Sequence, residues 1–356
     1  MTFADVFDLQ MGKTPSRENP SYWSGNNVWV SIADMKDRKY IDSSKETISD
    51  EAVAATGIRE VPEGTVFMSF KLSIGKVAIA AKNLYTNEAI MQFPIKPGYK
   101  LSSEYLYYYL LGHKWQGANK AVMGATLNKK KIAQEHISFP SIEEQQRIVD
   151  ELDLLSGIID KKNAQLRDLD ALAQSIFYEM FGDPKNNDLH WQTSLFGDTF
   201  KLKSGDGLKE KEFIFGNYPV YGGNGISGYH NCFNKEGKHV IIGRVGAYCG
   251  NVRYVQDCFW LTDNAFDALF DSTRLDYTFV CWMLNTLDLH RFANHAAQPV
   301  ISNSGLRQLS VIIPPIEIQR HFAERASAIQ SQKNFILASL KDSEFLFNIR
   351  MSHYFD

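Results

Sequence analysis

A long internal repeat constrains the fold of this chain more than any other feature of its 356 residues. Residues 3–12 and 196–205 both read F-x-D-x-F-x-L-x-x-G. Residues 137–145 and 311–319 both contain P-x-I-E-x-Q, at an offset of 174 residues. Because this offset far exceeds the period of solenoid repeats, it indicates two copies of one domain-sized unit.

Each copy begins with a stretch that is rich in glycine, aromatic and β-branched residues. Residues 66–70 and 239–242 are typical of strands between glycine turns, and residues 105–111 are typical of a short buried helix. These patterns predict an α+β (mixed) globule in residues 1–141 and a second one in residues 183–314.

Each copy ends in a helical heptad pattern, at residues 142–182 and 315–356. Ser141-Ile-Glu-Glu144 predicts a capping box at the start of the first helix, and Gly182 before Pro184 predicts its end. The apolar spacing of four and three residues is typical of a seam against a partner helix. The predicted seam residues are Ile148, Leu152, Leu155, Ile159, Leu166, Leu169, Ile176, Phe322, Ile329, Ile336, Leu340 and Phe347.

Polar residues interrupt this seam at Lys162 in the first helix and at Lys333, Ser343 and Arg350 in the second. Each helix of about 40 residues spans about 60 Å, which is too long to pack wholly on one small globule. We therefore expect the two helices to lie against each other. The alternative is that each helix packs only on its own globule.

Sequence motifs for catalysis are missing or lack their context. Residues 223–228 spell G-x-G-x-x-G, but no helical pattern follows to hold a pyrophosphate. Gly12-Lys13-Thr14 resembles only the end of a P-loop, since Phe7 stands where the first glycine belongs. N-P-P-Y, D-P-P-Y and G-x-S-x-G are absent. We expect no catalytic residue, and a glycine loop at 223–228 that brings backbone close to another segment.

The cysteine spacing disfavours a structural metal site, and the hydropathy disfavours a membrane protein. No C-x-x-C occurs, so we expect no structural metal site and instead buried, unpaired thiols. No run of about 18 apolar residues predicts a membrane span. The first residues do not form a charged-then-apolar signal segment. We therefore expect a cytoplasmic protein without membrane contact.

The charge pattern permits a local nucleic-acid face, although the net charge is only −3. Basic and amide side chains recur in glycine-rich loops at corresponding places of both copies, including residues 71–76 and 126–131. Such side chains suit contacts with phosphates and base edges. The candidate DNA-binding residues are Lys13, Arg17, Lys71, Lys76, Asn128, Lys129, Lys203, Tyr221, Asn224, Arg244, Tyr248, Asn303 and Arg307.

The whole chain resembles the specificity subunits of type I restriction-modification systems. The matching segments are Gly12-Lys-Thr-Pro15, Tyr218-Pro-Val-Tyr221-Gly-Gly-Asn224-Gly225, Ile241-Ile-Gly243-Arg244-Val-Gly246, Phe139-Pro-Ser-Ile-Glu-Glu-Gln145 and Ile313-Pro-Pro-Ile-Glu317-Ile-Gln319. One departure from the pattern is Ile318, which stands where the first copy has its second glutamate, Glu144.

This resemblance implies two target-recognition domains that each read one half of a split, asymmetric sequence in double-stranded DNA. It implies an antiparallel coiled coil that fixes the unread gap. It further implies two modification (methyltransferase) subunits that bind S-adenosylmethionine, and restriction subunits that use ATP and Mg²⁺. No cofactor is expected in this chain itself, which is expected not to be an enzyme.

Two further expectations concern the partners of the long helices. Since carboxylates repel phosphates, we expect Glu143, Glu144, Asp150 and Glu151 to lie outside the seam and to face the methyltransferase subunits. An alternative function is a non-enzymatic coiled-coil scaffold whose globules bind proteins. Salt-dependent binding to a duplex would separate this alternative from DNA recognition. A self-contained nuclease–methylase is disfavoured because its motifs are missing.

Overall fold

The computed structural model describes residues 1–36, 38–71, 73–115, 127–294 and 299–355. Leu72 and Thr126, which belong to two of the predicted basic loops, lie outside the described residues. The chain divides into two compact units, Met1–Lys161 with Ser339–Asp356, and Lys162–Ala338.

The first copy contains five helices, eight short strands and a 3₁₀ helix at Pro20–Trp23 among its described residues. The helices are α1 (Phe3–Val6), α2 (Asp50–Thr56), α3 (Ser103–Gly112), α4 (Lys129–Gln134) and α5 (Ile142–Phe181). The strands are β1 (Gln10–Met11), β2 (Asn27–Val30), β3 (Tyr40–Ile41), β4 (Glu46–Ile48), β5 (Val66–Ser69), β6 (Val77–Ala80), β7 (Tyr85–Thr86) and β8 (Ile90–Phe93).

A five-stranded sheet, in the order β1-β8-β5-β6-β3, is the centre of this copy, and a three-stranded sheet, β4-β2-β7, lies beside it. Every residue of β5, β6 and β8 is buried. Side chains alternate between two faces of a strand, so Val66 and Met68 join the cluster that contains α3, while Phe67 joins the cluster of β2. Burial on both faces explains why these strands read as continuous apolar runs.

The second copy repeats this arrangement and adds 3₁₀ helices at Glu210–Glu212 and Leu289–Phe292. Its helices are α6 (Phe196–Thr199), α7 (Tyr277–Thr286), α8 (Asn303–Leu306) and α9 (Ile316–Phe355). Its strands are β9 (Thr193–Leu195), β10 (Lys201–Ser204), β11 (Tyr218–Gly222), β12 (Gly225–His230), β13 (Lys235–Glu236), β14 (His239–Gly243), β15 (Val252–Val255), β16 (Cys258–Leu261), β17 (Ala265–Leu269) and β18 (Ser310–Ile312).

The strand orders confirm the mixed, duplicated fold class that the sequence predicts. The order β10-β17-β14-β15 corresponds strand for strand to β1-β8-β5-β6, and β12-β11-β16 corresponds to β4-β2-β7. The second copy adds β13 to its smaller sheet and pairs β18 with β9. The two copies thus share a topology although their sequences differ at most positions.

The long helices α5 and α9 pair in an antiparallel direction within each unit. In the first unit, Glu151 of α5 accepts hydrogen bonds from Arg350 and, at 2.6 Å, from the Tyr354 hydroxyl. In the second unit, Asp170 pairs with Lys333. Farther along α5, the rings of Phe177 and Phe322 lie 5.4 Å apart. Rising residue numbers on α5 therefore meet falling numbers on α9.

The apolar seam residues differ in burial along the two helices. Ion pairs form where polar residues interrupt the heptad pattern. Ile148, Leu152, Leu155, Ile176, Phe322, Ile329 and Leu340 are buried, whereas Ile159, Leu166, Leu169, Ile336 and Phe347 are half-buried. Lys333 and Arg350, which break the second pattern, form the ion pairs with α5. Glu151 therefore faces α9, and the expectation that it lies outside the seam is wrong.

The beginning of α5 differs from a complete capping box. The Ser141 hydroxyl accepts a hydrogen bond from the Glu144 N–H at 3.3 Å. The Glu144 carboxylate instead binds Arg147 one turn later, through both Nε and Nη2. At the other end, Gly182 has a φ of 69°, and its N–H donates to the Tyr178 carbonyl, which ends the helix in the left-handed conformation that glycine allows.

Buried glutamines hold the first turn of both long helices. The Gln145 Oε1 accepts from the Ser102 N–H at 2.9 Å, and its Nε2 donates to the carbonyls of Lys100 and Pro140, both at 2.9 Å. The Gln319 Oε1 accepts from the Asp276 N–H at 2.8 Å, and its Nε2 donates to the carbonyls of Arg274 (3.1 Å) and Pro314 (2.7 Å). Both glutamines are fully buried, with relative exposures of 0%.

We predict that the seam contributes strongly to stability in the first unit. Leu152 is fully buried, whereas Leu154 is 66% exposed two residues later on the same helix. Leu152→Ala should lower the free energy of unfolding by about 2–5 kcal/mol, because it removes buried methyl groups and leaves a cavity. Leu154→Ala should change it by no more than about 0.5 kcal/mol. Urea unfolding checks this, and equal effects of the two substitutions would contradict the seam assignment.

Candidate nucleic-acid interface

Backbone hydrogen bonds bring several loops of the first copy together. The Phe70 N–H donates to the Ala89 carbonyl at 3.0 Å, and the Leu127 N–H donates to the Phe70 carbonyl at 3.1 Å. The Lys13 N–H donates to the Thr86 carbonyl at 2.9 Å. We call residues 12–14, 70–71, 73–76, 86–89 and 127–130 the first loop cluster.

The second copy contains the same backbone connections. The Arg244 N–H donates to the Asn264 carbonyl, and the Ile301 N–H donates to the Arg244 carbonyl, both at 2.9 Å. Arg244 and Ile301 correspond to Phe70 and Leu127 at the offset of 174. We call residues 204–207, 222–225, 244–251, 262–264 and 299–303 the second loop cluster. The scaffold of both clusters is main chain, so their side chains are free to differ.

Glycines allow the hairpin turn of the second cluster to pack closely. A Cβ on Gly223 would lie 2.4 Å from the Val245 carbonyl oxygen, and one on Gly243 would lie 2.3 Å from the Gly223 carbonyl oxygen. Residues 223–228 form the turn and the first part of the second strand of the β11–β12 hairpin, and the next element is strand β13. The expectation of a close backbone approach is therefore confirmed, and the hairpin differs from the strand-to-helix turn on which a dinucleotide fingerprint depends.

Exposed candidate residues lie in both clusters. In the first cluster they are Lys76 in the β5–β6 loop, and Asn128 and Lys129 at the start of α4, where the Asn128 Oδ1 accepts from the Lys131 N–H at 2.9 Å. In the second cluster they are Asn224 in the β11–β12 turn, Tyr248 in the β14–β15 loop, and Asn303.

Other candidates lie next to the clusters or are partly covered. Arg307 and Lys203 are exposed, at the end of α8 and on β10. Lys71 and Tyr221 are half-buried, and burial raises the pKa of the Tyr221 hydroxyl. Ser302, which sequence reasoning did not select, occupies the place of Asn128, since it caps α8 through the Gly305 N–H at 3.1 Å.

Two basic candidates of the first copy are engaged inside their own domain. The Lys13 Nζ donates to the carbonyls of Thr56 (2.7 Å) and Gly57 (3.2 Å), so it satisfies the end of α2. The Arg17 guanidinium binds both carboxylate oxygens of Glu46, and it lies 3.6 Å from the centre of the Trp23 ring. Both side chains are therefore engaged in contacts within their own domain, which sequence reasoning did not predict.

Arg244 is the candidate with the most unusual surroundings. Its side chain is half-buried, and its guanidinium carbon lies 5.2 Å from the centre of the Phe266 ring. Its Nε is buried and has no hydrogen-bond partner among the described residues. A buried guanidinium N–H without an acceptor is costly, so this arginine is suited to an added acceptor nearby.

A charged cluster lies on β13, β14 and β17 of the second copy. The buried Asp267 carboxylate accepts from the Lys235 Nζ at 2.9 Å and contacts the His239 Nδ1 at 3.1 Å, while the His239 Nε2 lies 3.0 Å from the Glu236 carbonyl. The hydrogen bond to Asp267 raises the pKa of His239, against the opposing effect of burial. Burial would raise the pKa of Asp267, but hydrogen bonds from His239 and Lys235 lower it overall.

The part of the chain that the structure describes holds no cluster of metal ligands, and its cysteines form no disulfide. No group of three or more His, Cys, Asp or Glu side chains there could hold a metal ion. All four cysteines are unpaired. Cys249 is buried and Cys258 and Cys281 are half-buried, but Cys232 is exposed, so the expectation of buried thiols is wrong for Cys232. Within the same residues, no helix is long and apolar enough to cross a membrane.

Two copies of one α/β fold, each with a glycine-bounded loop cluster and a long helix, define a duplicated recognition protein. The family model for the type I restriction modification DNA specificity domain matches residues 1–168 and 189–342. The chain therefore belongs to this family. Specificity subunits are not enzymes, and as such a subunit this chain is a recognition component of a restriction-modification system.

Known relatives agree with this assignment. The chain is 26% identical over 349 residues to the type I restriction enzyme EcoprrI specificity subunit of Escherichia coli, covering 91% of this chain and 85% of the relative. It is 29% identical over 237 residues to the MjaIX specificity subunit of Methanocaldococcus jannaschii, covering 61% and 54%. The fold is similar to that of the type I S subunit from M. genitalium, with a TM-score of 0.65, 16% identity, and coverage of 100% and 95%.

The His239–Asp267 pair predicts a pH-dependent stability of the second unit. Because the folded pKa of His239 is raised, its contribution is complete below about pH 6.5 and is lost as the pH rises through the folded pKa. His239→Gln should therefore lower the free energy of unfolding most at about pH 5.5 and least at about pH 8.5. Urea unfolding at both values measures this. His321→Gln, which removes an exposed histidine of α9, is the control. The same loss at both pH values would contradict the assignment.

Proposed function

We propose that this specificity subunit reads a bipartite, asymmetric target in double-stranded DNA, with one half-site for each copy of the domain. The observation that carries the proposal is the shared main-chain network around Phe70 and Arg244. It presents different side chains at corresponding positions of the two loop clusters, which is what reading two different half-sites requires. Base edges in the major groove offer donors and acceptors that amide and guanidinium groups distinguish.

The candidate contacts divide by their chemistry. Lys76 and Lys129 are exposed point charges in the first cluster, and they suit phosphates. Asn224 and Tyr248 are exposed donors and acceptors that suit base edges or sugars, and Asn128 offers its exposed amide group, although its Oδ1 also caps α4. Arg244 is half-buried in the second cluster, its Nε has no hydrogen-bond partner among the described residues, and its guanidinium group suits the acceptors of a guanine edge.

The outer faces of the long helices suit protein partners. Phe335 and Phe345 of α9 are 77% and 68% exposed, and Leu154 and Leu172 of α5 are exposed as well. Large apolar side chains along a helix mark protein–protein contacts. We propose that these faces, with the carboxylates Glu143, Glu144 and Asp150, dock two methyltransferase subunits, and that restriction subunits join this complex.

The cofactors of the system belong to those partner subunits in this proposal. S-adenosylmethionine would be bound by the methyltransferase subunits, and ATP with Mg²⁺ by the restriction subunits. The chain itself would contribute the choice of DNA sequence and the spacing between the half-sites. We place its activity in the cytoplasm, where the DNA is.

The test is a selection from a pool of random-sequence duplexes by the chain in complex with its methyltransferase. We predict that the enriched duplexes share two short defined sequences separated by an unread gap. Arg244→Ala should cost about 1–3 kcal/mol of binding and relax only one half-site, while Asn128→Ala should affect only the other. A change in both half-sites, or in neither, would contradict the division of labour.

Charge-neutralising variants separate specific reading from phosphate binding. Lys76→Ala should weaken binding to all sequences and reduce the salt slope by about one. Lys341→Ala, which removes the same charge from an exposed position of α9, should leave the slope unchanged. If no duplex were enriched and binding did not depend on salt, the protein-binding scaffold would become the better account.

A further inference from the structure

Each copy contains one buried glutamine, and the two glutamines bind backbone groups at corresponding positions of the repeat. Gln145 binds the backbone of residues 100, 102 and 140, and Gln319 binds that of residues 274, 276 and 314. Every partner is displaced by 174 residues, as the glutamines are. Ser102 and Asp276 are the residues that cap α3 and α7. Each amide therefore ties the start of a long helix to the start of the domain helix beside it.

We propose that Gln145 and Gln319 are positioning residues that fix the direction in which each long helix leaves its own recognition domain. This direction in turn sets which gap between half-sites the protein accepts. The inference rests on the proposed bipartite function, and it assigns the precision of the gap to two side chains that do not touch DNA.

The chemistry of the amide explains why glutamine is needed at these positions. The side chain donates two hydrogen bonds and accepts one from a fully buried location. A glutamate of the same shape cannot donate to two carbonyls, and a methionine can neither donate nor accept in this way. Asparagine is one methylene shorter. Any of these replacements leaves buried backbone groups unpaired, so the first turn would move to satisfy them.

The length of the helices makes a small change at this point large elsewhere. A helix of about 40 residues is about 60 Å long. A tilt of about 10° at its first turn would displace its far end by about 10 Å, which is the length of about three base pairs. A misplacement of about 1 Å can already cost an enzyme about 100-fold in rate. Firm attachment at the first turn is therefore a requirement for a fixed gap.

The two copies differ in the polar contacts that attach the long helix to its own domain. In the first copy, Asp153 of α5 also binds Lys39 and the Tyr108 hydroxyl, which adds a second tie between the helix and its domain. At the offset of 174, the second copy has Trp282 and Ser327 in place of Tyr108 and Asp153, so it has no carboxylate at the position that binds Lys39 and the Tyr108 hydroxyl in the first copy. The loss of Gln319 should therefore affect the gap more than the loss of Gln145.

The experiment uses the complex with methyltransferase subunits and duplexes that share both half-sites but differ in the gap by one or two base pairs. The variants are Gln319→Met and Gln145→Met, which keep the side-chain volume, and Gln146→Met as the control. Gln146 is the exposed neighbour of Gln145, and its Nε2 donates to Asp150 on the same helix. The rate of DNA methylation is measured for each gap.

In the unsubstituted complex and the Gln146→Met control, we expect the best gap to be methylated at least about tenfold faster than its neighbours. This ratio should fall to about threefold or less in Gln319→Met and fall less in Gln145→Met, while discrimination within each half-site is unchanged. A folded Gln319→Met complex with the original gap preference would overturn the proposal.

Two other results are also decisive. If Gln319→Met and Gln319→Glu both failed to fold, glutamine would be a general stability residue, and the positioning role would be overturned. If the unsubstituted complex had no preferred gap, the bipartite function itself would fail, and this outcome is visible before any variant is compared.

Discussion

The pairing of α5 with α9 is the interaction on which the rest of this structure depends. Apolar side chains such as Leu152 and Phe322 are removed from water along the seam, and this burial stabilises two helices that are too long for either domain to cover. The ion pairs of Glu151 with Arg350 and of Asp170 with Lys333 occur where the apolar pattern is interrupted. The Glu151–Arg350 pair is partly buried, so a shifted register that left it unpaired would be disfavoured, whereas the Asp170 carboxylate is 65% exposed and contributes less to the alignment.

The duplicated domains separate a constant scaffold from variable contacts. The same main-chain bonds hold the loops in both copies, but buried Phe70 stands in one copy where half-buried Arg244 stands in the other. Glycines such as Gly223 allow this close backbone packing. A protein built in this way can change the sequence it recognises through loop side chains without rebuilding its sheets.

The sequence predicted the features that depend on local or periodic patterns. The strand runs, the glycine turn and the two long helices follow from residue type and spacing, because burial on a strand or helix has a fixed period. It did not predict which side chains are engaged. Arg17 and Glu46 are 29 residues apart and Glu151 and Arg350 are 199 residues apart, so only the tertiary fold brings them together. The glutamines were visible as a repeat, but their hydrogen bonds were not.

The most direct test of the central claim is a matched deletion of one heptad from each paired helix, residues 156–162 and 340–346, in the complex with methyltransferase. This keeps the ion pairs of Glu151 and Asp170 and shortens the paired helices by about 10 Å. Genome-wide mapping of methylated bases should then show unchanged half-sites with a gap that is shorter, by at most about three base pairs. Unchanged half-sites with an unchanged gap would contradict the account, because the length of the helices would then not set the spacing.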